Sequence, residues 1–269
     1  MGLAAPSQAA TLTIKGSDSL VILARKWAEL YSTKHPATKI QVAGGGTSAG
    51  FAALQNHSAD LAAASRPIKF EEMARCLDSL GKRPTEYKVC LDGLSIYVNE
   101  GNPVEELTLE QLKLIFTGRI QDWNQLGGHA APITLYGRGN NSSTGEFFKE
   151  QVLENGDFSA NAQTVPGTAA LLRALAGDKN GIGFGGPASG QGARTLKLKT
   201  GSSGAALMPT EASVGQGLYP ICRYLYLYVN PALDRGEIAA FLNWIRSDEG
   251  QRVAKEMGCY PLPAHLREK

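Results

Sequence analysis

The sequence predicts an α/β fold with mainly parallel sheets flanked by helices, and three features of the chain predict it. Short β-type runs end in turns rich in glycine and hydroxyls, apolar residues then recur at helical spacing, and this order repeats along the chain. Such alternation is the mark of βαβ units. Residues 11–15 form the first run, and the turn Gly16-Ser17-Asp18-Ser19 follows. Leu20, Leu23, Ala24, Trp27, Leu30 and Tyr31 then mark a helix. Residues 39–43 are the second run, followed by Gly44-Gly45-Gly46-Thr47-Ser48 and a helix carrying Phe51, Leu54 and Gln55. Residues 60–64 are the third, and Ser65-Arg66-Pro67 closes it, because proline cannot donate to a central ladder. In a parallel sheet the carboxyl ends of the strands share one edge, where ligands bind. The three turns are therefore expected to converge.

The second half of the chain repeats the unit. Residues 91–99 read as one long β run, 109–116 as a helix and 133–136 as a strand. Arg138-Gly139-Asn140-Asn141-Ser142-Ser143-Thr144-Gly145 is again a polar turn, now opened by an arginine, and a helix over 146–153 follows. Further along, 168–175 reads as a helix, 181–186 as a glycine-rich strand and 194–204 as a polar loop. Residues 225–229 form a strong strand and 238–257 one helix, with Phe241, Leu242, Ile245, Val253 and Met257 on its apolar side. No flexible linker separates domains. The β runs 91–99 and 225–229 bracket the arginine turn. If both cross, the chain makes two lobes: 11–92 plus 225–269, and 93–224, with 1–10 belonging to neither.

Composition narrows the function. The net charge is +2, from 27 basic and 25 acidic residues interspersed along the chain. That balance argues against a nucleic-acid or anionic-membrane partner. No apolar stretch approaches the ~20 residues of a membrane span. Residues 1–10 lack a basic leader start, but Ala9 and Ala10 resemble the end of a leader; a plain N-terminal segment is the other reading. Cys76, Cys90, Cys222 and Cys259 contain no CxxC pair, so metal binding is not expected. One or two disulfides, for instance Cys76 with Cys90, and four buried thiols both stay open. His35, His57, His129 and His265 neighbour no nucleophile elbow, and no acid–histidine cluster has metal-ligand spacing. No catalysis is expected.

The turns carry anion chemistry. A helix N-terminus presents about four unpaired N–H groups and roughly half a positive charge. An oxyanion placed there needs no metal. The three candidate turns are 17–20, 46–49 and 141–145, and Arg138 adds a planar fork suited to two oxygens of one anion. Ser, Thr, Asp and Asn are also the commonest helix caps, so each turn alone reads as a cap. Three in one chain, one with an arginine beside it, point to a site.

The segments TLTIKGSDSL, QVAGGGTSAGF, ADLAAASRPI, DGLSIYVN, YGRGNNSSTGEFF, LYLYVNP and SDEGQRVAKEMGCYPLP stand in this order over residues 11–263. In that order they resemble the phosphate-binding subunit of bacterial phosphate ABC transporters. The resemblance implies a two-lobed type II periplasmic binding protein fold with a two-strand hinge. It implies capture of inorganic phosphate outside the cytoplasm, in the periplasm or extracellularly, free or lipid-anchored, for the permease subunits of an ABC importer. The protein would act as a monomer, without cofactor or metal. By motif, Ser19 and the Leu20 amide would bind from the first turn, Thr47 from the second and Ser65 from the end of the third strand. Arg138, Ser142, Ser143 and Thr144 would close the remaining side. Two positions depart from the family pattern. Ser65, followed by Arg66, stands where the family has an aspartate that accepts the ligand's proton, and Ser143 stands where glycine is usual. Asp18 or Asp92 would then supply the acceptor, although Asp92 equally reads as a turn residue. The departure leaves sulfate, arsenate or molybdate as alternative ligands, and a phosphate-sensing protein of the same fold as an alternative role.

Overall fold

The structure, a computed structural model, describes residues 10–139, 142–188 and 190–267. The chain begins with β1 (Ala10–Gly16), α1 (Asp18–Lys34), β2 (Thr38–Ala43), α2 (Thr47–Gln55), β3 (Leu61–Ala64) and α3 (Phe70–Leu80). It continues with β4 (Thr85–Gly93), β5 (Ser95–Asn99), β6 (Glu106–Thr108), α4 (Leu109–Phe116), β7 (Thr134–Gly137) and α5 (Ser143–Gln151). Next come β8 (Gln163–Thr164), α6 (Thr168–Gly177), β9 (Gly181–Gly185), β10 (Ala193–Thr195), β11 (Lys197–Lys199) and α7 (Glu211–Gly215). The last elements are β12 (Cys222–Val229), α8 (Gly236–Arg246) and α9 (Asp248–Glu256). Contacts divide the chain into two compact units, one of residues 1–91, 224–257 and 261–269, the other of 92–223 and 258–260.

The first unit is built on a sheet of order β2-β1-β3-β12-β4, with β1 parallel to both β2 and β3 and β12 antiparallel to β3. Leu12 and Ile14 of β1 are buried, as are Leu20, Leu23, Trp27 and Tyr31 of α1. That helical stripe is the one the sequence shows. Trp27 donates its indole N–H to the Gly250 carbonyl at 2.8 Å, which pins α1 to α9. The small residues of β3 leave room for α2, and Phe51 and Leu54 pack on Ala62, Ala64, Tyr226 and Tyr228.

The second unit is built on a sheet of order β10-β5-β9-β7-β8, in which β7 is parallel to β8 and β9 while β5 is antiparallel to β9 and β10. The pair β6 and β11 stands apart from it. Phe148 of α5 stacks on Phe184 of β9 with ring centroids 3.9 Å apart, and Phe116 meets both edge-on. Those contacts hold α5 against the sheet.

Three readings of the sequence change here, and one left open is narrowed. The β run at 91–99 is two strands, β4 and β5, in two different sheets. The break falls at Leu94, whose N–H donates to the Ile221 carbonyl at 3.0 Å. The helix at 238–257 is α8 and α9, divided at Ser247, which is extended, donates to the Trp244 carbonyl and caps α9 through Gly250 N–H. The polar stretch 194–204 contains most of β10 and all of β11. Cys76, Cys222 and Cys259 are free thiols, so the Cys76–Cys90 pairing is not formed.

Candidate functional site

In the first unit the turns after β1, β2 and β3 are bonded to one another. Gly16 has φ +143°, and a Cβ on it would lie 2.1 Å from the Ala63 carbonyl oxygen, so only glycine lets β1 run this close to β3 before turning into α1. Ser17 N–H donates to that Ala63 oxygen at 2.8 Å, and Gly46 N–H donates to the Gly16 carbonyl at 3.1 Å. Asp18 Oδ1 accepts the Gly45 N–H at 3.1 Å, which ties the glycine turn to the start of α1. Thr47, the first residue of α2, accepts the Ser65 N–H on Oγ1 at 3.1 Å and lies 3.2 Å from Ser65 Oγ. A hydroxyl pair so arranged keeps one hydrogen for a further acceptor, whichever oxygen donates within the pair.

Ser19 and Leu20 lie in the first turn of α1, and the Leu20 N–H donates to the Ser17 carbonyl at 3.0 Å. The implied role of that amide therefore competes with a local bond. Arg66, just beyond Ser65, donates to both oxygens of Glu72 at 2.8 and 2.9 Å and to Ser48 Oγ at 3.0 Å. Burial alone would raise the Glu72 carboxyl, but the Arg66 hydrogen bonds and the Lys69 N–H outweigh it and hold the pKa at about 2. This buried pair escaped the sequence reading, because nothing in a six-residue separation signals it.

In the second unit β7 ends at Gly137, and the turn leads through Arg138 to α5, with Ser142 as its N-cap. Asn140 and Asn141, part of the candidate turn, lie outside the described residues. Ser142 Oγ accepts the Gly145 N–H at 3.3 Å, and its own N–H donates to the Gly139 carbonyl at 2.9 Å. Ser143 and Thr144 form the first helical turn. A Cβ on Gly145 would lie 3.2 Å from Arg138 Cβ, so the glycine lets the arginine pack against the helix start. Arg138 Nη1 is buried and has no hydrogen-bond partner among the described residues. Burial also pushes the guanidinium's pKa down, the direction expected for a charge taken from water without a counter-ion. An orphaned charged donor of this kind costs more than the ~1–3 kcal/mol of a neutral one.

Each unit thus holds its own share of the implied residues: Ser19, Leu20, Thr47 and Ser65 in the first, Arg138, Ser142, Ser143 and Thr144 in the second. The two carboxylates considered as proton acceptors are both engaged, Asp18 by Gly45 N–H and Asp92 by Arg223 at 3.1 Å. Among the described residues no group of three or more acidic, histidine or cysteine side chains could hold a metal, and no helix is long and apolar enough to cross a membrane.

Residues 3–249 match the PBP superfamily domain. The phosphate-binding protein PstS of Pseudomonas aeruginosa is 37% identical over 96% of this chain and 85% of the relative. An ABC-type phosphate transport receptor from Vibrio cholerae superposes with a TM-score of 0.81 at 24% identity, covering 94% of this chain and all of the receptor. A protein of Clostridium perfringens, solved with bound phosphate and proposed as a phosphate ABC transporter substrate-binding protein, superposes with a TM-score of 0.70 at 26% identity, over 94% of this chain and 100% of its own. The chain belongs to the PBP superfamily and, within it, to the family of the phosphate-binding protein PstS.

Proposed function

We propose that this protein captures inorganic phosphate outside the cytoplasm and delivers it to the permease subunits of an ABC importer. One observation carries the reading: Arg138 packs against the first turn of α5 at Gly145, and its buried Nη1 has no hydrogen-bond partner among the described residues. A tetrahedral anion there would take a charge-assisted hydrogen bond from the guanidinium and further ones from the Ser142 hydroxyl and the first-turn N–H groups. Ser19, Thr47 and Ser65 would supply donors from the first unit. The units act as lobes, and the anion favours a closed arrangement because only that arrangement lets it bond to both. The strands passing between the units, β4 and β12, serve as the hinge. No catalytic step is assigned, and the protein works as a monomer.

A second reading, another tetrahedral oxyanion, is favoured by the engagement of Asp18 and Asp92 with fixed donors. A carboxylate tied to a fixed donor is a weaker acceptor and repels an anion that lacks a proton less. Isothermal titration of ligand-stripped protein with phosphate, sulfate and arsenate from pH 5 to 8.5 separates the readings. Phosphate is expected to bind most tightly. Arg138→Ala should weaken it by at least about tenfold, roughly one charge-assisted hydrogen bond. Unchanged affinity in that variant would remove Arg138 from the site.

A further inference from the structure

Arg223 joins three segments of the second unit. Its Nε and Nη2 donate to Asp92 Oδ2 at 3.2 and 3.1 Å, and its guanidinium carbon lies 3.8 Å from the centroid of the Phe147 ring. Asp92 is the first residue of this unit along β4, and Arg223 is its last before β12 continues into the other. Phe147 is fully buried on α5, four residues beyond Ser143, so its ring stands one turn behind the proposed anion donors. The pair is largely shielded, with side-chain exposures of 14% for Arg223 and 20% for Asp92.

We infer that Arg223 is a positioning residue that couples the anion-binding helix α5 to both strands by which the chain passes between the units. The inference rests on the proposed anion site. A planar guanidinium can stack flat on an aromatic face while its edge bonds a carboxylate, which an ammonium cannot do. One side chain therefore ties the ends of β4 and β12, already neighbours in one sheet, to Phe147 of α5. When an anion draws on the first turn of α5, Phe147 moves with that helix. Arg223 passes the shift to the two strands that must absorb a rotation of the lobes. Asp92 accordingly serves as the anchor of this clamp and not as an acceptor for the ligand's proton.

The test compares wild type with Arg223→Lys, Arg223→Gln and Phe147→Leu by phosphate titration calorimetry, by melting without ligand, and by small-angle scattering with and without saturating phosphate. Arg223→Lys keeps a cation for Asp92 and loses the stack. It should bind phosphate about tenfold more weakly and show a smaller phosphate-induced change in radius of gyration, while its ligand-free melting temperature stays close to wild type. Phe147→Leu should show the same losses of affinity and scattering change, with a lower melting temperature from the lost buried ring, which keeps the test decisive if Arg223→Gln fails to fold. Variants that melt earlier yet match wild type in affinity and scattering change would reduce Arg223 to a structural role and overturn the coupling alone. A wild-type protein that binds no tetrahedral oxyanion would overturn the anion site together with the coupling.

Discussion

At the end of β3 the side chain of Arg66 bonds both oxygens of Glu72 and the Ser48 hydroxyl, so one guanidinium braces the turn after Ser65 against the start of α2. The Glu72 side chain is 7% exposed, and its carboxyl titrates near pH 2 instead of 4.5. A carboxyl whose folded pKa is depressed contributes stability above its unfolded pKa and loses it as the pH falls through the folded value. The contribution is on the order of 3 kcal/mol, complete above pH 4.5 and gone near pH 2. Glu72→Gln should therefore be less stable than wild type at pH 7, with the gap closing between those two values; urea unfolding across that range measures it. A gap that does not change with pH would mean that Glu72 contributes through packing and not through charge. Ser65 and Arg66 were legible as residues at the end of a strand. Their partner was not, because the ion pair exists only once α3 packs beside the turn.

At the scale of elements, α5, the helix proposed to hold the anion, shows how spacing and packing divide the work. A cap residue followed by a helical stripe is visible in the sequence, and the structure places Ser142 at the N-cap with Phe147 and Phe148 buried. The close approach of Arg138 to the helix start is not visible, since it depends on the missing Cβ of Gly145. Gly145→Ala should push Arg138 away by a few tenths of an ångström. Helix propensity favours alanine by about 1 kcal/mol, so the melting temperature should hold or rise slightly while phosphate affinity falls several-fold. Calorimetry beside a melting curve reads both, and unchanged affinity would show that the arginine does not need this contact. Strand and helix breaks were the poorly legible elements. β4 and β5 meet at Asp92-Gly93-Leu94-Ser95, and although Asp-Gly is a turn signal, the extended run continues on both sides of it, so no change of period marks the passage from one sheet to the next. Ser247 divides α8 from α9 by a cap that any serine in a helix could equally have left unused.

At the scale of the whole molecule, a ligand that binds only the folded protein stabilises it by mass action. Phosphate at a hundred times its dissociation constant should add about 2.7 kcal/mol. The melting temperature should climb with phosphate concentration, and for Arg138→Ala the climb should need at least about tenfold more phosphate; a wild-type curve that ignores phosphate would contradict the proposed ligand. The alternation of β-type runs, polar turns and apolar helical stripes was enough to determine an α/β fold with mainly parallel sheets, and the motif order was enough to indicate the family. Both are local patterns repeated along the chain, and local patterns survive without knowledge of neighbours. Tertiary structure alone decided the Arg66–Glu72 and Arg223–Asp92 pairs, the hydroxyl bond between Thr47 and Ser65, and the burial of Arg138 Nη1 without a partner among the described residues. Each depends on which distant groups approach within hydrogen-bond reach and which are shut off from water, and sequence spacing carries neither quantity.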